Sequence, residues 1–272
     1  MKLAISNLAW PVADDAGVAH VLRTLDVTGV ELAPAKVWAH APRVAVGEAE
    51  RYAAWWRSVG CEIVAFQAIL FGLPELNLFG SAESVAALQR HLASMGALAA
   101  RCGARVLVLG APGNRKRGQR SMPAAVAAAA AALRPVADAL EPLGVHLCIE
   151  PNPPRYGCDF VTTAAEAAVL ADAVAHPNFG VHLDSAALAL SGELSVAALA
   201  PVMRYVRHVH VSEVDLVPVG SGNLVPHAAL GSALRDVGYD GWYSIEMRVG
   251  EDSRWRDALP RAVTVTRECY GA

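Results

Sequence analysis

The most constraining feature of the sequence is a strand-like pattern that recurs four times in its second half. Residues 144–152 alternate apolar and polar side chains, and the same alternation recurs in residues 179–184, 206–212 and 242–247. Because successive side chains of a strand point to opposite faces, each stretch has one apolar face and one polar face. Near its C-terminal end, each stretch places one side chain that can bind a metal: Glu150, Asp184, His210 and Glu246.

The spacing of these four residues predicts the fold. They are separated by 34, 26 and 36 residues, which is about the length of a strand, a crossover helix and two loops. The chain of 272 residues divides into eight units of 34 residues, and α/β barrels of this size commonly form one domain. We therefore predict a protein of the α/β class, a single (β/α)8 TIM barrel that spans residues 1–272.

The rest of the chain fits an alternation of strands and helices. We predict four earlier strands, at residues 3–8, 29–34, 62–67 and 105–109, and helices at 18–25, 48–59, 83–102, 122–143, 164–175, 196–203, 228–237 and 252–267. Such alternation favours a parallel sheet, and the absence of G-x-G-x-x-G after the first strand argues against a dinucleotide site. The apolar loop at residues 68–81 is interpreted either as an active-site lid or as a loop packed on the barrel rim.

Composition narrows the classes of partner and the compartment. The formal charge of −3 and the pI near 6.3 show no global signal for binding polyanions, so we expect no nucleic-acid partner. Five cysteines without a C-x-x-C pair favour a reduced, cytoplasmic protein without disulfides. The N-terminus resembles a strand more than a signal peptide. The longest uncharged apolar run, residues 122–133, is too short to span a bilayer, so we expect no membrane association.

The four recurring residues predict a metal site. Three carboxylates that converge at a barrel mouth would raise one another's pKa, and a bound divalent cation removes this repulsion. Three carboxylates and one imidazole suit one divalent ion, Mn²⁺, Mg²⁺, Co²⁺ or Zn²⁺. The alternative is that the four residues are unconnected core positions. We predict a metal site formed by Glu150, Asp184, His210 and Glu246.

Further polar residues share the faces of the predicted ligands. His182 and His208 lie one step deeper, and we expect them to support the ligands through hydrogen bonds. Glu31, Gln67 and Asn7 lie near the ends of the first three strands, where they can line the same mouth; for Glu31, substrate contact and loop anchoring are equally favoured. Arg115 belongs to a basic loop after the fourth strand, and arginine suits phosphate or carboxylate. The residues assigned to substrate binding are Arg115, Asn152, Glu31 and Gln67.

The ligand order supports a family resemblance. Glu, Asp, His and Glu occur on strands five to eight in the local sequences CIEPN, VHLDS, HVHVSE and GYDGWYSIEM. This pattern resembles the xylose-isomerase-like TIM barrels, which include sugar phosphate isomerases, ketose 3-epimerases, inosose and dehydroshikimate dehydratases, and apurinic endonucleases. The resemblance covers essentially the whole chain. It implies that all four residues bind the metal and that Glu150 and Glu246 also form the catalytic acid/base pair.

Two positions depart from the ketose 3-epimerases. Those enzymes place a histidine three residues after the strand-six aspartate, where this chain has Ala187. They also place an arginine shortly after the strand-seven histidine, where this chain has residues 213–217, Glu-Val-Asp-Leu-Val. Both positions contact substrate in those enzymes, which argues against a free ketohexose as the substrate here.

These observations predict a divalent-metal-dependent epimerase or isomerase of a sugar, sugar phosphate or related polyhydroxy carbonyl compound. The proton would be removed next to a metal-bound carbonyl. A dehydratase of a cyclic polyol or keto acid and a non-catalytic sugar-binding barrel remain alternatives. A phosphodiesterase of the apurinic-endonuclease type is disfavoured, because the early loops offer mainly His40 and His91 for additional metals. Four tryptophans suit either buried packing or a homo-oligomer interface: Trp38, Trp55, Trp56 and Trp255.

Overall fold

The computed structural model describes residues 1–249 and 254–271. Within them, eight parallel strands close into a barrel in chain order. The strands are β1 (Lys2–Ser6), β2 (Gly29–Leu32), β3 (Glu62–Phe66), β4 (Val106–Leu109), β5 (His146–Ile149), β6 (Phe179–Asp184), β7 (Val206–Ser212) and β8 (Trp242–Glu246). Closure occurs where β1 pairs with β8, from Lys2 opposite Trp242 to Ile5 opposite Ile245. The predicted single (β/α)8 TIM barrel is confirmed.

Helices connect the strands on the outside of the barrel. They are α1 (Asp15–Thr24), α2 (Pro34–Val37), α3 (Val46–Ser58), α4 (Ala82–Cys102), α5 (Met122–Leu140), α6 (Ala164–Val174), α7 (Ser185–Ser191), α8 (Val196–Leu199), α9 (His227–Asp236) and α10 (Trp255–Tyr270). The predicted start of the last helix, at Asp252, lies outside the described residues.

The expected helix over residues 196–203 is wrong in extent. Helix α8 occupies only Val196–Leu199, and α7 begins directly after β6. The start of α7 has a local cause. The side chain of Asp184 accepts a 2.8 Å hydrogen bond from the backbone N–H of Ala187 and caps this helix. The alanine-rich sequence that follows Asp184 has no polar face, so its periodicity did not reveal the helix.

Strand alternation separates the core into two layers. On β5, Leu147 and Ile149 are fully buried in the layer between the barrel and the helices, where each such side chain contributes about 1.5–3 kcal/mol to folding. A smaller layer inside the barrel consists of Ala4, Val64, Ala65, Val106, Val108 and Cys148, with Trp242 packed against it. Nearer the carboxyl ends of the strands, the interior becomes polar.

Helix α5 is long and predominantly apolar. The segment Met122–Leu143 is long and apolar enough to cross a membrane by length and composition. It extends beyond the uncharged run at residues 122–133 on which the sequence analysis relied. The helix packs between α4 and α6. Its buried positions recur at helical spacing: Ala125, Ala129, Ala132, Leu133, Val136, Ala137 and Leu140. Core packing of one face accounts for this composition.

The cysteines and tryptophans have simple structural explanations. All five cysteines are free. Trp38, Trp56 and Trp255 are buried within the chain itself. Internal packing therefore accounts for these three indoles without a subunit interface.

Candidate active site

The strand register brings the predicted ligands together at the carboxyl ends of β5 to β8. Strands β6 and β7 pair Asp184 with His210. Ligand atoms of Asp184, His210 and Glu246 lie within 4.8 Å of one another. A second group of the same kind joins Glu150 and His182 to His210. His210 belongs to both groups, so it lies at the centre of the predicted quartet.

The orientation of the His210 ring fits a metal ligand. Its Nε2 atom lies 2.9 Å from Oε2 of Glu31, and its Nδ1 atom lies 3.3 Å from Oε2 of Glu246. Nδ1 is buried and has no hydrogen-bond partner among the residues that the structure describes. When Nε2 carries the proton and donates it to Glu31, the lone pair of Nδ1 is free to bind a cation. These residues therefore fit a divalent ion.

Hydrogen bonds from the protein orient the Asp184 carboxylate. One oxygen, Oδ1, accepts from the backbone N–H of Ala187, and the other, Oδ2, accepts from the hydroxyl of Ser212 at 2.5 Å. Each carboxylate oxygen has two lone pairs, so both oxygens can still bind an ion. Asp184 is thus held in place by α7 on one side and β7 on the other.

The position of Glu150 depends on a glycine in the neighbouring loop. A Cβ atom added to Gly110 would lie 2.2 Å from Oε2 of Glu150, so a larger residue at position 110 would displace this carboxylate. The other oxygen, Oε1, lies 3.6 Å from Nδ1 of His182. Glu150 therefore occupies a fixed place between the loop after β4 and the interior histidines.

Burial and neighbouring carboxylates raise the pKa values of Glu150 and Asp184. Burial raises the pKa of Glu150 to about 8, and the charges of Glu246 and Asp184 add to this effect. Burial, followed by the charge of Glu246, raises the pKa of Asp184 to about 6. Burial alone would lower the pKa of His210, but Glu31 and Glu246 outweigh it and raise this pKa well above its ordinary value. A divalent ion bound here would favour the charged forms of these carboxylates.

Glu31 supports the histidines of the site from below. It is fully buried, and its Oε2 atom accepts hydrogen bonds from Nε2 of His208 at 3.0 Å and Nε2 of His210 at 2.9 Å. Burial alone would raise the pKa of Glu31, but the two histidines lower it well below its ordinary value. Glu31 does not belong to the cavity lining. Neither substrate contact nor loop anchoring describes this contact, since Glu31 orients His210.

Of the two histidines expected to support the ligands through hydrogen bonds, His208 makes such a bond to Glu31, whereas neither ring nitrogen of His182 has a hydrogen-bond partner within the described residues. His208 acts through Glu31, which it shares with His210. His182 packs edge-on against His210, with ring centroids 4.1 Å apart. Burial, together with the neighbouring imidazoles, lowers the pKa of His182 well below its ordinary value. A neutral His182 therefore faces Glu150 across the barrel interior.

Gln67 connects the third strand to the eighth. Its Nε2 atom donates a 2.6 Å hydrogen bond to Oε1 of Glu246. Gln67 also lines the cavity above the site, and its Oε1 atom has no hydrogen-bond partner among the described residues. Substrate contact by Gln67 stays a prediction, and orientation of Glu246 is an additional role.

Arg115 has a different position from the one expected. It is 2% exposed, and its guanidinium donates five hydrogen bonds, which matches its five N–H donors. The acceptors are the backbone oxygens of Gly110, Glu150, Phe160 and Val161 and the Oδ1 atom of Asn152. These contacts contradict direct binding of substrate by Arg115, which instead ties the loops after β4 and β5 together. Asn152 uses its carbonyl oxygen for Arg115, and its amide group stays a predicted substrate contact.

A cavity of about 1080 Å³ lies above the cluster, with Glu150, His210 and Glu246 among its lining. Its wall consists largely of residues that follow β1 to β4, including Leu8, Ile69, Leu70, Phe71 and Leu73. The apolar loop after β3 both packs on the barrel rim and lines the cavity. Its role as an active-site lid stays a prediction. Leu70 is buried on the barrel rim, whereas Phe71 is 73% exposed at the cavity.

Two cations of the cavity were missed in the sequence. Lys36 and Arg248 both line the cavity. The alternation of β8 contained a signal for Arg248, because a residue two places after Glu246 falls on the same face. The sequence contained no comparable signal for Lys36, since its direction depends on the turn between β2 and α2.

The two departures from the ketose 3-epimerase pattern also have structural explanations. Ala187 lies in the first turn of α7, where its backbone N–H donates a hydrogen bond to the capping residue Asp184. Glu213 is buried, and its Oε1 atom accepts hydrogen bonds from the backbone N–H of Gly220 and from His227. The Glu213 side chain is therefore part of a separate buried pair and is absent from the cavity lining.

Comparison with known proteins identifies the family. The model of the xylose isomerase-like TIM barrel family matches residues 19–269. The chain belongs to this family. None of the curated proteins matches the sequence significantly.

Solved structures with the same architecture include three sugar epimerases. A D-psicose 3-epimerase in the presence of D-fructose superposes with a TM-score of 0.82 at 18% identity, with 100% of each chain covered. The 3-keto-D-glucoside 4-epimerase of E. coli gives a TM-score of 0.78 at 19% identity, covering 97% of this chain and 99% of that one. An L-ribulose 3-epimerase gives 0.76 at 21% identity, covering 98% and 92%. At these identities the likeness shows a shared fold.

Proposed function

We propose that the protein is a divalent-metal-dependent epimerase or isomerase of a sugar, sugar phosphate or related polyhydroxy carbonyl compound. One observation carries this proposal: the carboxylates of Glu150, Asp184 and Glu246 cluster around His210 at the floor of a large cavity, and Nδ1 of His210 has no hydrogen-bond partner within the described part of the chain. The sugar epimerases among the similar structures support the same class of chemistry. The proposed ligands are Glu150, Asp184, His210 and Glu246.

The proposed roles follow from the requirements of proton abstraction. A proton on the carbon next to a carbonyl is only weakly acidic, so its removal needs a base and a means of stabilising the negative charge that develops on oxygen. Glu150, Asp184, His210 and Glu246 would hold a divalent ion, which would supply the positive charge that stabilises this oxygen. Glu150 and Glu246 come from β5 and β8, so one carboxylate can remove the proton while the other returns it from another direction.

Neighbouring residues keep these groups in position. Gln67 holds one oxygen of Glu246 through its 2.6 Å hydrogen bond, which leaves the other oxygen for the ion or the proton. Glu31 holds His210 so that Nδ1 faces the carboxylates. Apolar residues of the loop after β3 cover one side of the cavity and reduce access of water to the reacting carbon.

Solvent exchange tests the proposal. Metal-loaded protein is incubated with candidate ketoses in D₂O, and deuterium at the carbon next to the carbonyl is measured by NMR. We expect exchange, and we expect Glu150→Gln and Glu246→Gln each to lower its rate at least ~10²-fold, the lower range for general acid–base catalysis. Because both residues are proposed ligands, metal content is measured beside each rate.

Product mass separates the alternative reactions. An epimerase or isomerase leaves the mass unchanged apart from deuterium, whereas a dehydratase gives a product lighter by one water. Cleavage of abasic DNA without C–H exchange in any polyhydroxy ketone would overturn the proposal in favour of a phosphodiesterase. Full activity of a metal-loaded Glu246→Gln variant would remove Glu246 from catalysis and leave the metal site in place.

The proposal extends to compartment and partners. Five free thiols suit a reduced compartment, so we propose that the protein acts in the cytoplasm on a small-molecule substrate. A homo-oligomer remains a prediction that light scattering of the purified protein can test.

A further inference from the structure

We propose that the substrate carries an anionic group, a carboxylate or a phosphate, and that Lys36 and Arg248 bind this group at the cavity wall. This inference rests on the proposed function, because it assigns a substrate class to the same cavity. Both side chains line the cavity whose lining also includes Glu150, His210 and Glu246. Neither residue has a role in holding the metal ligands.

Lys36 is held in place at the cavity by two backbone oxygens of the loop after β1. Its Nζ atom donates hydrogen bonds to the backbone oxygens of Asn7 at 2.6 Å and Trp10 at 2.8 Å. A lysine ammonium has three donors, so one N–H remains for a ligand. The two carbonyl contacts fix the ammonium in place and lower the entropic cost of using it for binding.

Arg248 reaches the cavity from the end of β8. Its backbone N–H donates a 2.7 Å hydrogen bond to the oxygen of Leu216, which anchors the chain at this point. Its side chain is exposed, and no carboxylate of residues 1–249 or 254–271 forms a salt bridge with it. A guanidinium offers paired N–H donors that match a carboxylate or phosphate.

The two cations share the wall of one cavity. Burial lowers the pKa of Lys36, and the charge of Arg248 lowers it further, although Asp15 opposes this shift. The oxygens of Asp15 already accept hydrogen bonds from Trp10 and Tyr52, and Asp15 does not line the cavity. An anion bound between Lys36 and Arg248 would remove their mutual repulsion, as a divalent ion would do for the carboxylates of the floor.

The charge and size of the cavity agree with this assignment. The cavity lining includes the carboxylates of Glu150 and Glu246. An anionic substrate would be repelled from such a cavity unless its wall carried cations. The volume of about 1080 Å³ slightly exceeds the ~300–1,000 Å³ usual for ligand pockets and has room for a charged substituent beside the reacting carbons. Loops after strands seven and eight of TIM barrels frequently bind phosphate, and Arg248 follows β8.

Three probes with one carbon skeleton test the inference. D-fructose, D-fructose 6-phosphate and D-fructuronate are all six-carbon ketoses and differ at carbon 6, which is neutral, phosphorylated or carboxylated. Their binding to metal-free and Mn²⁺-loaded protein is measured by calorimetry, beside deuterium exchange. We expect at least one anionic probe to bind ~10-fold or more tightly than D-fructose, as expected for hydrogen bonds to charged groups. The tighter of the two anions identifies the group.

Substitutions assign the preference to residues. Lys36→Met and Arg248→Met should each remove most of the anionic preference, and the double variant should bind the three probes equally. Arg248→Lys keeps the charge and should retain part of the preference. The matched control is Arg90→Met, an exposed arginine of α4 that does not line the cavity, which should retain all of it.

The outcomes separate this inference from the proposed function. Equal binding of all three probes to the wild type would overturn the inference. An anionic preference that survives in the double variant would also overturn it, because the anion would then bind manganese instead of Lys36 and Arg248. Absence of deuterium exchange with every probe would instead contradict the proposed function, while the calorimetry still decides the anion site.

Discussion

The two halves of the barrel contribute different parts of the candidate site. Strands β5 to β8 provide the proposed metal-binding groups at their carboxyl ends. The loops after β1 to β4 provide most of the cavity wall, which is largely apolar. The chemical half is thus built on strands, whose side-chain directions follow from backbone geometry, and the wall is built on loops. Rigid strands can hold ligand atoms to within tenths of an ångström, whereas loops can vary with the substrate.

The largest expected effect is on metal content, and it comes from substituting a proposed metal ligand instead of a residue of the cavity wall. Asp184→Ala and His210→Ala each remove one ligand, so bound divalent metal should fall from close to one ion per chain to nearly none. Leu70→Ala removes as many non-hydrogen atoms as Asp184→Ala, but it changes only the wall, so it should leave the metal content near that of the wild type. Metal content is measured by inductively coupled plasma mass spectrometry. Wild-type content in both floor variants would contradict the metal site.

This division also explains what the sequence could predict. Alternation in β5 to β8 pointed Glu150, Asp184, His210 and Glu246 to one face each, and barrel closure brings the ends of parallel strands together. Both steps depend only on strand geometry and the chain order of the strands. The fold and the convergence of three ligands, Asp184, His210 and Glu246, therefore followed from the sequence.

The contacts of loops and of buried partners did not follow from it. Arg115 was expected at the substrate, but its five acceptors come from loops that meet only in the folded chain. Glu31 follows a register shift in the pairing of β2 with β3, and its contacts with His208 and His210 cross from β2 to β7. Such pairings depend on three-dimensional packing, which periodicity within one strand does not contain.

The second prediction concerns support of the floor across the two halves. Glu31→Gln removes the charged acceptor of the N–H of His210, and loss of such a partner typically weakens metal binding ~10–100-fold. The matched control is Glu213→Gln, which changes another buried carboxylate that contacts a histidine, His227. Dissociation constants for Mn²⁺ are measured by calorimetry. We expect weaker binding in Glu31→Gln alone, and equal constants for the two variants would remove Glu31 from support of the metal site.

The third prediction concerns the contact between the loop after β4 and the floor. In Gly110→Ala the new Cβ atom must move the Glu150 carboxylate, since it would otherwise lie only 2.2 Å from Oε2. Displacement by about 1 Å is enough to lower turnover substantially, and we expect a loss of at least ~10-fold. Gly113→Ala is the control in the same loop, because a Cβ there meets no atom within 4 Å. Equal turnover in the two variants would show that the position of Glu150 does not limit the reaction.

The smallest effect is expected for the thiols, which compare the two layers of the core. Burial raises the pKa of Cys61 and of Cys102 to about 11, and that of Cys148, inside the barrel, to about 12. A raised pKa keeps a cysteine as the neutral thiol, so at pH 8 almost none of the reactive thiolate is present, and its fraction grows only as the pH approaches these values. Native protein should therefore react with a maleimide first at partly exposed Cys269, whereas unfolded protein should label all five thiols. Reductant should leave the thermal midpoint within about 1 °C, because no disulfide is lost. Rapid labelling of Cys148 at pH 8 would show that the barrel interior opens more readily than its packing indicates, and a large drop in the midpoint on reduction would contradict the free thiols.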